Sequence, residues 1–292
     1  MKGLVEIARC HTRAEAELRV RALTLAGIRC ALEPVGDAFG IYVEEYNVGR
    51  ASEHLAIYEE AFALAEPSKK LGSKSKNWLL GYVAYAMLMG LFFLAHQVGL
   101  FSVNWVAAGA SQAGAVVDGA WWRTITSLTL HAEFGHLLGN LIFGVATGYF
   151  VAQCFGAGLA WLLILLAGSF GNGVNAFVHP EGFASIGAST GLFGGLGILS
   201  GYSYVSKFAP WRQGLRRWMP IAAGITLLAF LGFGGEHADI LGHILGFGAG
   251  AAIGLVIARD PQRLMGLANI QRNSGILVGV LISAAWLLAL LD

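Results

Sequence analysis

The sequence has few charged residues, and those it has are unevenly placed. Only 13% of its 292 residues are Asp, Glu, Lys or Arg, whereas soluble proteins contain about a quarter. Of these 37 charged residues, 22 precede position 77, and the remaining 216 positions share 15. A mean hydropathy of +0.62 accompanies the shortage. The sequence therefore predicts a small soluble head followed by a polytopic helical membrane body.

Cysteine is also scarce, and charges of the two signs nearly balance. The three cysteines, Cys10, Cys30 and Cys154, are interpreted as small apolar fillers rather than disulfide partners or metal ligands. A net charge of +1 gives no reason to expect nucleic acid as a partner. The first residues are mixed and charged, unlike the apolar core of a signal peptide, so we expect the head to stay in the cytoplasm. We expect no cofactor and no metal ion.

Residues 1–66 alternate between strand and helix patterns. Leu4–Ala8 alternates as a strand, and Thr12 with Glu15 forms a capping box for a helix that ends at Gly27. The other predicted elements are the strands Arg29–Leu32 and Gly40–Val43, joined through Pro34–Phe39, and the helix Asn47–Ala65. The order βαββα predicts a small ferredoxin-like α+β domain. Its segment EAELRVRALTLAGI resembles a family of short bacterial domains proposed to act in signal transduction. A cytoplasmic partner is one interpretation of the head, and a passive folded cap is the other.

Apolar runs long enough for membrane helices fill residues 78–292, after a basic linker at 67–77. The seven predicted spans are Trp78–Val98, Leu137–Phe155, Leu159–Phe177, Gly187–Val205, Met219–Phe233, Ile240–Ala258 and Gly275–Leu291. Lys and Arg concentrate in the linker, between spans four and five, and between spans six and seven. The positive-inside rule then places the head inside and the loops after spans one, three and five outside. The C-terminus is outside if the seventh span crosses. The long first loop, rich in Trp, is predicted to lie partly in the bilayer interface.

Three of the predicted spans carry polar residues near the same end. His136 and Asn140 lie four residues apart at the start of the second span, Ser189 lies at the start of the fourth, and His243 at the start of the sixth. Polar groups inside a membrane are costly, which makes them candidates for function. Because all of them lie near the outer ends of their helices, they indicate a single site.

Small residues give a reason for two of these spans to approach closely. The glycine stripes are Gly242, Gly246, Gly250 and Gly254 on the sixth span, and Gly187, Gly191 and Gly195 on the fourth. Such stripes let helix backbones touch, and the contact would bring Ser189 within hydrogen-bond reach of His243. We predict a serine nucleophile with His243 as its base and Phe193 packed under the imidazole. His136 and Asn140 are predicted donors to the oxyanion.

Four segments resemble, in order and spacing, motifs of the rhomboid family of intramembrane serine proteases. They are Trp122-Arg123, His136-x-x-x-Asn140, Gly187-x-Ser189 followed by Phe193, and Asp239-x-x-x-His243-x-x-Gly246. The resemblance implies a compact six-helix core, here with a seventh C-terminal helix, and a catalytic dyad of Ser189 and His243. Gly187 and Gly246 take supporting roles. It also implies that the substrates are membrane-spanning proteins, in what we expect to be a bacterial cytoplasmic (inner) membrane.

One position departs from the family pattern, and it leaves other functions open. The glycine that usually follows the nucleophile is Thr190 here, and a β-branched residue either narrows the site or is accommodated. The alternatives are a catalytically inactive rhomboid-like protein that binds membrane clients, and a small transporter that uses the polar cluster. Asp239 is expected to cap its helix rather than to complete a Ser–His–Asp triad. The spacing of His131, Glu133 and His136 does not fit an HExxH zinc site.

Overall fold

A computed structural model describes residues 3–65, 78–206, 239–260 and 269–292, with short pieces between 218 and 226 and at 267. The chain divides into two compact units, Met1–Pro67 and Ser68–Asp292. The predicted linker 67–77 lies outside the described residues, as does most of the predicted fifth span, Met219–Phe233. The first unit is α+β, and the second is almost wholly helical.

The first unit has the predicted order βαββα. Its elements are β1 (Leu4–Cys10), α1 (Arg13–Leu25), β2 (Cys30–Val35), β3 (Ala38–Glu44) and α2 (Val48–Ala65). The strands form one antiparallel sheet in the order β1-β3-β2. Ile41 and Val43 of the central strand are buried against helix residues such as Leu23 and Leu55. Thr12 caps α1 as predicted, because its Oγ1 accepts the backbone N–H of Glu15 at 3.3 Å.

The hairpin between β2 and β3 is tighter than predicted. The predicted connection Pro34–Phe39 is mostly strand, and only Gly36 and Asp37 remain in the turn. Gly36 has a φ of +60°, a conformation that glycine adopts without steric cost. Pro34 fits within β2 because this strand lies at the edge of the sheet. Proline has no backbone N–H to donate, and an edge strand needs hydrogen-bond donors toward only one neighbour. The sequence pattern missed the pairing because proline ordinarily ends a strand.

The second unit is a bundle of long helices joined by short elements. In chain order the elements are α3 (Trp78–Gln97), α4 (Trp105–Gly109), β4 (Ser111–Gln112), α5 (Ala113–Val117), α6 (Arg123–Thr126), α7 (Phe134–Phe155), α8 (Ala157–Val178), β5 (Ala184–Ser185), α9 (Ser189–Val205), α10 (Ile240–Ile257) and α11 (Ile270–Leu291). Five of them, α3, α7, α8, α10 and α11, are long and apolar enough to cross a membrane. The 17-residue α9 packs among α7, α8 and α10. The protein is therefore a polytopic helical membrane protein with a small α+β unit before the bundle.

Two long helices begin three or more residues earlier than hydropathy predicts. Helix α7 begins at Phe134 rather than Leu137, and α11 begins at Ile270 rather than Gly275. Polar residues in the first turns lower the local hydropathy but leave the backbone helical. In α11 the polar Gln271 is a structural tie: its Nε2 donates to the carbonyl of Phe155 at 2.7 Å, and its Oε1 accepts from the N–H of Leu159 at 3.2 Å. It fixes the start of α11 to the turn between α7 and α8.

The segment between α3 and α7 is folded rather than a free loop. Its strand β4 pairs with β5, just before α9, and the buried Trp105 packs edge-on against Trp286 of α11 at 5.3 Å between ring centroids. Arg123 donates from Nη1 to the carbonyls of Ala107 and Ala110 at 2.9 and 3.3 Å. Arg123 therefore braces the segment from within. The segment in turn supports the chain that leads into α9.

Candidate active site

Ser189 begins α9, immediately after a sharp bend in the chain. Gly187 makes the bend with a φ of +128°, a conformation that is strongly disfavoured for any residue with a Cβ. Its N–H donates to the carbonyl of Ser127 at 2.9 Å. A Cβ on Gly187 would lie 2.7 Å from the imidazole of His136. Glycine is needed here both for the bend and for the close approach of His136.

The imidazole of His243, near the start of α10, faces Ser189. Its Nε2 and the Oγ of Ser189 are 2.8 Å apart, and both side chains are buried. The ring of Phe193, one turn after Ser189, stacks on the imidazole with centroids 4.6 Å apart and planes 19° apart. The structure thus brings Ser189, His243 and Phe193 together, with the imidazole held flat against the aromatic ring.

Glycines allow the backbones of α9 and α10 to touch. A Cβ added to Gly246, Gly250 or Gly254 of α10 would overlap a backbone carbonyl of α9. These carbonyls belong to Thr190, Gly194 and Ile198, respectively. From the other side, a Cβ on Gly197 or Gly201 of α9 would strike the carbonyls of Phe247 and Ala251. Over about three helical turns, the two backbones are too close for a side chain at these glycine positions. This backbone contact sets the distance between the helices that carry Ser189 and His243.

The stripe predicted on α9, however, faces other helices. Gly191 lies against Gly168 and Ile164 of α8, and Gly195 lies against Ile164 and against Thr147 of α7. The α9 positions that meet α10 include Thr190, Gly194, Gly197, Ile198 and Gly201. The prediction was wrong because α9 carries glycines on more than one side, and a four-residue spacing does not tell which neighbour each side meets.

His136 and Asn140 occupy successive turns at the start of α7. The imidazole of His136 lies against Gly187, two residues before Ser189. Asn140 is fully buried; its Nδ2 donates to the carbonyl of His136 at 3.1 Å, and its Oδ1 has no hydrogen-bond partner among the described residues. The structure therefore brings His136 to the bend before Ser189. It places the amide of Asn140 one turn further along α7, bonded to its own helix.

Asp239 caps α10 and forms no triad. Its Oδ1 accepts the N–H of Gly242 at 2.8 Å, and its Oδ2 accepts a hydrogen bond from Nδ2 of Asn175 at 2.6 Å. The Nδ1 of His243, which a triad carboxylate would contact, has no partner among the described residues. The residue cooperating with Asp239 is thus Asn175 of α8, which the sequence pattern did not single out.

His131 was weighed in the sequence only as a metal ligand, and the structure gives it a different place. It is fully buried, and its ring packs edge-on against that of His136 with centroids 5.0 Å apart. Burial lowers the pKa of His131 to about 3, with a smaller contribution from His136; the imidazole is therefore neutral at ordinary pH. Within the described ranges no group of three or more His, Cys, Asp or Glu side chains could hold a metal ion. His131 is a neutral packing partner of His136.

Thr190, the departure from the family pattern, directs its methyl group between two helices. A Cβ on Gly171 of α8 would lie 3.0 Å from Thr190 Cγ2, and a Cβ on Gly246 of α10 would lie 2.9 Å from the same atom. The side chain of Thr190 is buried. The β-branch therefore fills space that these two glycines leave open.

The family model and three relatives that match this chain all carry the same family description. Residues 118–260, which include His136, Asn140, Ser189 and His243, match the model of the Rhomboid domain. The Rhomboid protease GluP of Bacillus subtilis (strain 168) is 33% identical over 183 residues, covering 60% of this chain and 34% of the relative. RHOMBOID-like protein 5 of Arabidopsis thaliana is 30% identical over 155 residues, 53% of this chain and 50% of the relative. Rhomboid-like protease 3 of Toxoplasma gondii is 32% identical over 147 residues, 50% of this chain and 55% of the relative. The chain thus spans between 34% and 55% of the length of these three relatives.

Proposed function

Because the chain is a member of the rhomboid family, we propose that it is a serine endopeptidase that cleaves other membrane proteins in or near their transmembrane segments. The observation that carries the proposal is the 2.8 Å distance between Nε2 of His243 and Oγ of Ser189. A hydroxyl is a weak nucleophile, and it needs a base within hydrogen-bond reach. Family membership supports the class of reaction, and the geometry supports the assignment of these two residues.

His243 moves the proton in both halves of the proposed reaction. It takes the proton of Ser189 as Oγ attacks the scissile carbonyl carbon, and it returns that proton to the leaving amine when the tetrahedral intermediate collapses. Water then attacks the acyl-enzyme, again with His243 as base, which releases the second product and restores Ser189. The stacked ring of Phe193 holds the imidazole in the plane that this exchange requires.

The start of α9, together with His136 and Asn140, forms the proposed oxyanion hole. N–H groups in the first turn of a helix have no partner within that helix, and the helix dipole there favours negative charge. His136 lies against Gly187, beside Ser189. Catalytic hydrogen bonds are often incomplete before substrate binds, and we propose that the Asn140 amide turns from the His136 carbonyl to the oxyanion.

Replacing Asn140 with Ala tests that role. Loss of one oxyanion donor is expected to lower the cleavage rate by about 10²- to 10³-fold. Initial rates on a single-span substrate in proteoliposomes should show the fall in kcat, with KM little changed. The control is Thr147→Val, which alters a buried polar residue two turns further along α7 and should leave the rate unchanged. Full activity in Asn140→Ala would remove this residue from the oxyanion hole.

The position of Thr190 supports an active enzyme over a closed site. Its methyl group lies in the gap beside Gly171 and Gly246, so the branch is accommodated between α8 and α10. The alternative, an inactive relative that binds membrane clients, requires that the branch block the approach to Ser189.

Labelling with a serine-reactive fluorophosphonate separates these two functions. Such a probe needs a serine activated by its base, and we expect purified wild-type protein in detergent to be labelled and Ser189→Ala not to be. Folding of both proteins is checked by thermal unfolding. A folded wild type that resists the probe would favour the inactive, client-binding function.

We propose the following arrangement in the cell. The protein lies in a bacterial cytoplasmic membrane with residues 1–66 inside, because the basic residues of 67–77 precede the first span. Residues 78–292 form the protease domain, and its substrates are transmembrane proteins that approach from the bilayer. Residues 1–66 are a separate domain for a cytoplasmic partner.

A further inference from the structure

Helix α8 contacts α10 at two levels, and His243 lies between them. At one level, a Cβ on Gly171 would lie 2.8 Å from the backbone of Gly246. At the other, Asn175 donates to Asp239 at 2.6 Å. Asn175 follows Gly171 by four residues, so both lie on the same face of α8. On α10, Asp239 precedes His243 by one turn and Gly246 follows it by one turn.

The two contacts differ in how firmly they hold α10. The Gly171–Gly246 contact is backbone against backbone, and it fixes the middle of the helix by shape. The start of the helix depends on one side chain, because Asp239 both caps Gly242 at 2.8 Å and accepts from Asn175. Asn175 is only 2% exposed and Asp239 is partly exposed, so this hydrogen bond is partly shielded from water.

His243 depends on that first turn more than on the rest of α10. It is the fourth residue of the helix, and its backbone N–H bonds to the carbonyl of Asp239 at 3.1 Å. A shift of Asp239 therefore moves the backbone that carries the imidazole. The 2.8 Å contact with Ser189 leaves little room for such a shift, since a misplacement of about 1 Å can cost a hundredfold in rate.

We propose that Asn175 is a positioning residue for His243, and that it acts by holding Asp239 at the start of α10. The inference rests on the proposed protease function. Asn175 makes no hydrogen bond to Ser189 or His243 among the described residues; the described partner of its side chain is Asp239, the cap of α10. Asp239 thus helps to position His243 through the helix backbone, although its carboxylate does not contact the imidazole as a triad carboxylate would.

The pair can be exchanged, which gives a test with internal rescue. In Asn175→Asp, two carboxylates face each other where one amide donated, so the pair repels. In Asp239→Asn, the cap survives because asparagine also caps helices, but one oxygen must serve both Gly242 and Asn175. In the double variant, the amide introduced at position 239 caps with its oxygen and donates an N–H to the carboxylate introduced at position 175. That arrangement restores both hydrogen bonds with the roles reversed.

The measurement is the inactivation of the full-length protein by a fluorophosphonate, resolved into a maximal rate constant and an apparent affinity. We expect Asn175→Asp to lower the maximal rate constant by about tenfold to a hundredfold, with the affinity unchanged. The double variant should return to within about threefold of wild type. The control is Ser169→Ala, which removes a hydrogen bond of 3.1 Å between α8 and Thr124 of α6 and should not change the rate.

A purely structural role for Asn175 predicts a different result. It would lower the folded fraction and the melting temperature, while the rate constant per folded molecule stayed at the wild-type value. That result would overturn the inference, and so would a double variant that is inactivated as slowly as Asn175→Asp. In either case, labelling of the wild type by the fluorophosphonate would still support the proposed function. A wild type that is not labelled would overturn the proposed function, and the inference with it.

Discussion

Replacing Ser189 with Ala is expected to abolish cleavage of a single-span membrane substrate, with a fall in rate of at least about 10³-fold and as much as 10⁶-fold. The hydroxyl is the proposed nucleophile, and alanine leaves His243 with no proton to take. The measurement is the appearance of product fragments in proteoliposomes that contain purified protein and substrate. His243→Ala should cause a loss of similar size, because the two residues act as one unit.

A serine elsewhere on the same helix provides the control. Ser200 of α9 donates its hydroxyl to the carbonyl of Leu196 at 2.9 Å, a bond made within its own helix. Ser200→Ala should therefore retain full cleavage. Persistent cleavage by Ser189→Ala would contradict the proposed nucleophile, even if family membership stood.

Gly250→Ala is expected to be among the most damaging single methyl additions in the bundle. The new Cβ would overlap the carbonyl of Gly194, and α9 and α10 would have to separate. Overpacking typically costs about 1–3 kcal/mol, and a backbone contact that cannot adjust by a change of rotamer belongs at the upper end of that range. The separation would also lengthen the 2.8 Å contact between Ser189 and His243. We expect a clear fall in the midpoint of thermal unfolding together with loss of cleavage.

Gly248→Ala is the matched control for this variant. Gly248 lies two residues away on the same helix, and a Cβ there meets no atom within 4 Å. Both substitutions gain the same intrinsic helix propensity, about 1 kcal/mol in peptides, so the difference between the two variants measures the contact alone. Equal stability of Gly248→Ala and Gly250→Ala would mean that α9 and α10 are not held at backbone distance.

The sequence predicted most of the elements because their signals are local. The strands and helices of the first unit follow from alternation, from the cap at Thr12 and from Gly27 after the helix. The long apolar helices follow from hydropathy. Their first residues were less well predicted, as in α11, where Gln271 is typical of a polar loop but ties the helix to the α7–α8 turn. A hydropathy scale counts the polarity of a side chain but not the hydrogen bonds that allow it to lie in a partly buried helix end.

The sequence did not predict the contacts between helices, because these depend on which helices are neighbours in the bundle. Three of the four predicted α10 glycines, Gly246, Gly250 and Gly254, do meet α9, whereas Gly242 lies against the side chain of Asp239. The α9 glycines were assigned to the wrong neighbour, because α9 has small residues on more than one side. Asn175 gave no signal, since its partner Asp239 lies 64 residues further along the chain. His131 was considered only as a metal ligand, and its contact with His136 depends on how the chain turns into α7.

The burial of α9 has a consequence for how the protein is made. With 14 of its 17 residues buried, α9 exposes little surface to lipid once the bundle is complete. Such a glycine-rich helix gains little by entering the bilayer alone, so its place there depends on its neighbours. Helix α8 is synthesised before it, and α10 only after a further stretch of chain. We therefore expect α9 to be secured in the membrane when α10 closes over it, which is also the step that delivers His243 to Ser189. A chain whose insertion is unfinished would then lack the proposed dyad.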